Sequence, residues 1–246
     1  MKKNKLKEFR WMKKSELLIP HLPETRLMKE STLWEMIAKY KEVILKPVKG
    51  KRGKGIIMVS SSEIEKYEIH IENKIEVALG KKETLLKLKK LMGTTPYIIQ
   101  QRIPLATIDG CPIDFRVIVQ RKNVSTPWKI TGKVAKIAGK GYIVTNISRS
   151  QGKVMHVREA IPQSTIQTMS VDTLISDMEK IVLEATKILT EQYPKHRMYG
   201  FDMGIDSNGK LWIIEANYWP MLAQFRMLGD KQMLRRILRY KKGSKL

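Results

Sequence analysis

Apolar residues recur along this chain in two rhythms, one close to 3.6 residues and one of two. From Val171 the series Leu174, Ile175, Met178, Ile181, Val182, Ala185, Ile188 and Leu189 keeps the helical period for about five turns. It predicts a long helix with one buried face. A second helix is predicted over Thr32–Tyr40, where Leu33, Met36, Ile37 and Tyr40 share a face and Thr32 and Glu35 have capping-box spacing. Lys82–Met92 and Lys231–Arg239 also read as helices. The two-residue rhythm marks Tyr67, Ile69 and Ile71, then Ile75, Val77 and Leu79, as a strand pair turning about Asn73. Further strands are expected at Val43–Leu45, Ile56–Ser60, Tyr97–Ile103, Ile113–Arg121, Trp128–Ala138 and Tyr142–Ile147. A closing hairpin pairs Tyr199–Asp206 with Leu211–Asn217.

Strands and helices come in blocks and not in strict alternation, so the fold class is α+β with mainly antiparallel sheets. A break at Gly93–Pro96 divides a smaller lobe, 20–96, from a larger one, 97–246. Residues 1–19 read as a basic arm, loose over Met1–Lys14, and Leu238–Leu246 as a basic tail.

A chain of 246 residues, 42% hydrophobic and 29% charged, is long enough for two lobes with cores of their own. No stretch approaches the ~18 consecutive apolar residues of a membrane span. No apolar h-region follows the basic N-terminus, so a cytoplasmic location is the default expectation. A single cysteine, Cys111, excludes an internal disulfide and any Cys-based zinc cluster. The formal net charge of +23 attracts polyanions, whether nucleotide phosphates or nucleic acid. The charge is spread along the chain, however, and no zinc-finger, helix-turn-helix or RNP signature accompanies it.

The sharpest local chemistry lies in the closing hairpin. Asn208-Gly209 suits a two-residue type I′ turn, whose register pairs residues with numbers summing to 417. Asp202 then stands directly opposite Glu215, and Asn217 shares their face beside Gly200. Like charges placed opposite each other repel. A divalent cation would relieve that, and three oxygen donors with open positions suit Mg²⁺ carrying water and phosphate. Pairing with nearby lysines is the alternative. Phe201, Met203, Ile205, Trp212, Ile214 and Ala216 fall on the opposite face, expected to be buried.

Earlier in the chain Lys46 ends a strand just ahead of a basic loop with Gly50, Gly53 and Gly55. Glycine lets backbone N–H groups approach phosphate oxygens, and a lysine there supplies a point charge. The loop is not a Walker A motif, because Ile56-Ile57 stand where Lys-Ser/Thr is required.

The order of these features resembles the ATP-grasp superfamily. It resembles most the YheC/YheD family of endospore coat-associated proteins. The resemblance is carried by Leu22-Pro-Glu-Thr25, Leu45-Lys-Pro47, Gly53-Lys-Gly55, Ile113-Asp-Phe-Arg-Val117, Thr131-Gly-Lys-Val-Ala135, Val144-Thr-Asn146, Gly200-Phe-Asp202 and Ile214-Glu-Ala-Asn217. It implies two lobes of mainly antiparallel sheets clasping ATP. Lys46, Gly50, Gly53 and Gly55 would cover the phosphates. Gln100, Gln101, Arg102 and Ile103 would form the hinge that meets adenine. Asp202, Glu215 and Asn217 would hold Mg²⁺, and Arg116 and Lys136 would face phosphate or an acyl-phosphate. The reaction implied is phosphorylation of a carboxylate, followed by attack of an amine or thiol.

Some positions depart from the family pattern. Only about 45 residues precede Lys46, where superfamily members usually carry a further domain, so the acceptor site is expected to be either incomplete or completed by a partner chain. Gly200 stands in place of an arginine, Lys136 where arginine is commoner, and Gln100 where many relatives carry glutamate. Ser148–Lys153 is poorer in glycine than family loops at that point. Three readings follow: an ATP- and Mg²⁺-dependent ligase, a spore-coat structural protein that keeps a nucleotide pocket, and a basic nucleic-acid-binding protein.

Overall fold

The computed structural model describes residues 4–50, 53–142, 145, 150–166 and 170–242. Two antiparallel sheets organise them. The first runs β1 (Thr25–Leu27), β6 (Tyr97–Gln101), β2 (Glu42–Pro47), β3 (Ile57–Glu63), β4 (Lys66–Ile71) and β5 (Lys74–Leu79) across its width. The second runs β10 (Lys153–Met155), β9 (Lys129–Ile137), β8 (Cys111–Gln120), β11 (Met198–Ile205) and β12 (Leu211–Asn217), with β7 (Thr107–Ile108) paired to β8. The α+β class and the two-sheet architecture are therefore as expected.

Each sheet has a helix-covered face and a second face that carries the site. On the first sheet α2 (Glu30–Tyr40) and α3 (Gly80–Met92) pack Leu33, Met36, Ile37 and Leu88 against Val43, Leu45, Val59 and Ile69. On the second, β8 alternates strictly. Ile113, Phe115, Val117 and Val119 enter the core, which leaves Asp114, Arg116 and Ile118 for the other face. The long helix Val171–Gln192 covers that core with Leu174, Met178, Ile181, Val182, Ala185 and Leu189. Fully burying each large apolar side chain contributes about 1.5–3 kcal/mol. No described helix is long and apolar enough to cross a membrane.

Several expectations need correction. β6 lies between β1 and β2, so Tyr97–Gln101, expected to open the larger lobe, pair within the first sheet. The N-terminal arm is not loose: Lys5–Met12 form α1, with Trp11 edge-on to Tyr193 at 5.9 Å and Met12 in the larger core. Thr32 is not the N-cap of α2, which starts at Glu30; its hydroxyl instead accepts the Lys29 backbone N–H at 2.9 Å. Tyr142 is not in a strand, and the rest of the strand expected to Ile147 lies outside the described residues apart from Thr145. Asn146 and most of Ser148–Lys153's first half fall outside them as well.

Candidate functional site: a charged cluster beside a lysine crevice

Cross-strand register assembles the site on the face of the second sheet opposite the long helix, a face partly covered by the C-terminal helix. Asp202 on β11 is directly opposite Arg116 on β8, and Asp114 on β8 is directly opposite Lys136 on β9. Arg116 grips Asp202 with both fork nitrogens, at 2.7 and 2.9 Å. Lys136 bridges the two acids, 2.9 Å from Asp202 and 2.7 Å from Asp114. Thr145 also donates to Asp114, and Asn217 Nδ2 donates to Asp202 at 2.9 Å. The side chains of Asp114 and Lys136 are 6% and 8% exposed, so these charges have little water to screen them.

Burial works against the Asp202 charge, but Arg116 and Lys136 outweigh it and hold the carboxyl well below the usual range. Asp114 goes the other way: burial pushes it up, and Lys136 offsets only part of that. Burial likewise disfavours the Lys136 ammonium, yet Asp114 and Asp202 raise its pKa overall. Arg116 is thus the half-buried, bidentate partner of Asp202.

The hairpin reaches its expected pairing by an unexpected route. Asp206 faces Lys210 across a three-residue Ser207–Gly209 turn, with the Gly209 N–H on Asp206 O at 3.0 Å and Gly209 at φ 80°. The register near the turn is therefore one residue off, with Met203 opposite Ile213. A β-bulge at Ile214 restores it, so Asp202 faces Glu215 and Gly200 faces Asn217. The bulge also changes the faces: Leu211 and Ile213 join Phe201, Met203, Ile205 and Ala216 in the core, and Trp212 and Ile214 do not. Trp212 instead donates its indole N–H to Asp206 at 3.1 Å.

Lys46 and Glu215 line one cavity, together with Lys5, Ile98, Gln100 and Ile214 among others. Lys46 is buried and donates to Gln100 Oε1 at 2.6 Å, while Gln100 Nε2 donates to Thr25 at 2.8 Å. Lys5, which sequence reading left in a loose arm, donates to the carbonyls of Pro47 and Gly50 at 3.0 and 3.2 Å and stands 3.7 Å from Glu215. Gly53 and Gly55 take positive φ, and a Cβ at Gly55 would meet the Tyr97 hydroxyl at 2.7 Å. Lys51 and Arg52 lie outside the described residues. The expected hinge divides. Gln100 belongs to the lysine pair. Gln101 Oε1 accepts the Glu24 N–H, Arg102 pairs with Glu42 at 2.5 Å, and the Ile103 carbonyl accepts the Leu105 N–H.

Gly200 has a packing reason. A Cβ there would meet Pro220 Cβ at 2.5 Å, because the chain after Asn217 crosses this face. Asp114 and Lys5 are the residues that reading the sequence missed. Asp114 sat within a quoted motif without a role, and a lone lysine in a basic run has no local signal. His70 and His196 are buried and His156 precedes a short helix at Val157–Ala160; none sits among the charged cluster.

Asp202, Glu215 and Asn217 share one face and carry the oxygen donors a Mg²⁺ ion would need, although Asp202 is held here by Arg116, Lys136 and the Asn217 amide N–H. Among the described residues no group of three His, Cys, Asp or Glu is arranged for a metal.

Comparison with known proteins supports the fold. Endospore coat-associated protein YheD of Bacillus subtilis (strain 168) is 29% identical over 225 residues, covering 88% of this chain and 48% of its own length. The chain thus spans about half the length of the curated relatives it matches. Among solved structures, the ADP complex of PurK, N5-carboxyaminoimidazole ribonucleotide synthetase, superposes with a TM-score of 0.53 at 17% identity, over 89% of this chain and 45% of that one. The ATP-grasp ligase PsnB, complexed with a phosphomimetic variant of its minimal precursor, Mg and ADP, gives 0.54 at 11% identity, over 98% and 58%. At such identities these two speak for the fold alone. The sequence profile of YheC/D-like ATP-grasp proteins matches residues 2–242, and the chain belongs to that family.

Proposed function

We propose that the crevice between the two sheets binds ATP with Mg²⁺ and that the chain uses it to activate a carboxylate for ligation. The observation that carries this is the shared cavity: Lys46 and Gln100 from the first sheet face Glu215 from the second, next to Arg116 and Lys136. Family membership supports it, as do fold relatives solved with ADP and with Mg and ADP.

In this reading Lys46 supplies positive charge to the phosphates, and the loop at Gly50, Gly53 and Gly55 supplies backbone N–H groups. Gln100, Gln101, Arg102 and Ile103 lie along the adenine. Asp202, Glu215 and Asn217 hold Mg²⁺, which neutralises phosphate charge when bound. A substrate carboxylate oxygen attacks the γ-phosphorus, the bond to the β-phosphate oxygen breaks, and ADP leaves. An amine or thiol then attacks the acyl-phosphate carbonyl, loses its proton and expels phosphate. Arg116 and Lys136 face the oxygens on which negative charge gathers. Lobe boundaries follow the sheets, with the second lobe beginning after Gln101. Association with the spore coat is read from the name of the relative YheD.

The test is thermal unfolding with and without Mg-ATP. At a hundredfold excess over Kd, wild type gains about 2.7 kcal/mol, a shift of several degrees, and Glu215→Ala loses most of it. No shift in wild type overturns the nucleotide reading. A second reading has its own observation: Asp202 is tied to Arg116 and Lys136, and Lys5 stands by Glu215, so the site is internally neutralised. That suits a nucleotide-binding coat protein with little turnover. ADP release in the presence of carboxylates and amines separates the two.

A further inference from the structure

The final described helix, Lys231–Lys242, carries Lys231, Arg235, Arg236, Arg239, Lys241 and Lys242 and no acidic residue in its 12 positions. All six cations are exposed, and none has an ion-pair partner among the described residues. Its apolar edge is consumed by the protein itself: Ile237 is fully buried, and Met233, Leu234 and Leu238 pack with it on Ile118, Val134 and Phe225. What remains outward is cationic, so the helix has no apolar face to lay into a bilayer. Gln232, Arg235, Arg236 and Arg239 form one exposed stripe along this helix.

The helix rests on the same face of the second sheet as the charged cluster. Val134, beneath it, is the cross-strand partner of Arg116. Arg236 Nε donates to the Thr131 carbonyl at 2.7 Å. Thr131 and Lys136 are five residues apart on one strand, which is about 16 Å.

We propose that the carboxylate substrate is part of an acidic polypeptide, rich in glutamate or aspartate, that lies along this helix and delivers its reacting carboxyl to Arg116 and Lys136. The proposal rests on the ligase reading above and adds the class of substrate. Guanidinium forks bind carboxylates bidentately, and arginines at i and i+4 present two such forks on one side of a helix. Nucleic acid is less well matched, because the one aromatic ring of this helix, Tyr240, lies under Lys122 Nζ at 5.8 Å and is not free to stack a base. Bridging the arginine stripe and the cluster takes at least about five extended residues, so a shorter acidic peptide reaches only one of them.

Fluorescence anisotropy of labelled oligoglutamate, at fixed salt, tests this on the full chain. Arg235→Gln/Arg239→Gln should weaken binding of a ten-residue oligomer by about tenfold. Lys89→Gln/Lys90→Gln, an equal charge change on exposed positions of α3, should stay within about twofold. Triglutamate should bind much more weakly than the longer oligomer. Equal weakening by both variant pairs would reduce the effect to net charge and overturn the proposal. Tighter binding of a single-stranded homopolynucleotide of the same charge would overturn it in favour of nucleic acid. The Mg-ATP thermal shift is measured in parallel. Its absence in wild type beside the expected oligoglutamate pattern sinks the nucleotide reading and leaves the docking surface standing.

Discussion

Lys136 stands between two buried carboxylates, and removing it would leave Asp114 with only the Thr145 hydroxyl for a partner. Breaking a buried ion pair by deleting one member typically costs about 3–5 kcal/mol. Lys136→Met is therefore expected to destabilise the protein by that order in urea unfolding. Asp114→Asn added to it should return part of the loss, since the orphaned charge disappears. A simple surface pair would show neither effect. Arg116 and Lys136 were singled out in the sequence only through family likeness. Their partners were not legible, because a cross-strand partner is chosen by register across three strands, and no local spacing encodes that. Lys46 is similar. Its place at a strand end was readable, but its bond to Gln100, 54 residues away, depends on β2 and β6 lying side by side.

At the scale of elements, the hairpin shows how a correct pairing can follow from an incorrect premise. Asn208-Gly209 does form part of the turn, but the loop is one residue longer than a type I′ turn, which moves the register by one. The bulge at Ile214 moves it back before Glu215. Without that extra residue a longer turn would place Glu215 on the core face, since a one-residue slip exchanges the faces of a strand. A bulge leaves no clear mark in a sequence of alternating apolar residues, so Trp212 and Ile214 were read onto the wrong face. The amphipathic helices were readable because their periodicity is long and unbroken. The short segment at Leu22–Thr25 carried likeness but no visible role. In the structure Glu24, just ahead of β1, ties that strand to α2 through Lys39 and Tyr40 and also pairs with Arg26 on β1. The Lys39 bond first, then those of Tyr40 and Arg26, lower the Glu24 pKa from 4.5 to about 2. A depressed carboxyl stabilises fully above its unfolded value and loses that contribution as pH falls through its folded one. The melting-temperature gap between wild type and Glu24→Gln should accordingly be widest above pH 4.5 and close toward pH 2.

Across the whole molecule, the two sheets are joined by more than the chain between them. The N-terminal helix leans on the long helix of the second lobe, through Trp11 against Tyr193 and Ser15 on Glu184, while Lys5 holds two carbonyls of the first lobe's glycine loop. Hydrogen exchange provides the check: Lys5→Met should raise exchange at amides near Gly50–Gly55 several-fold and leave the long helix unchanged. Sequence reading missed this link because the segment is basic and short, and its helix is held by contacts with residues far along the chain. One ammonium thus acts as a latch pin with three seats. Shift the first helix by a single turn and the pin slides out: the loop becomes free to lift, and Glu215 gives up a cation neighbour to whatever enters the gap.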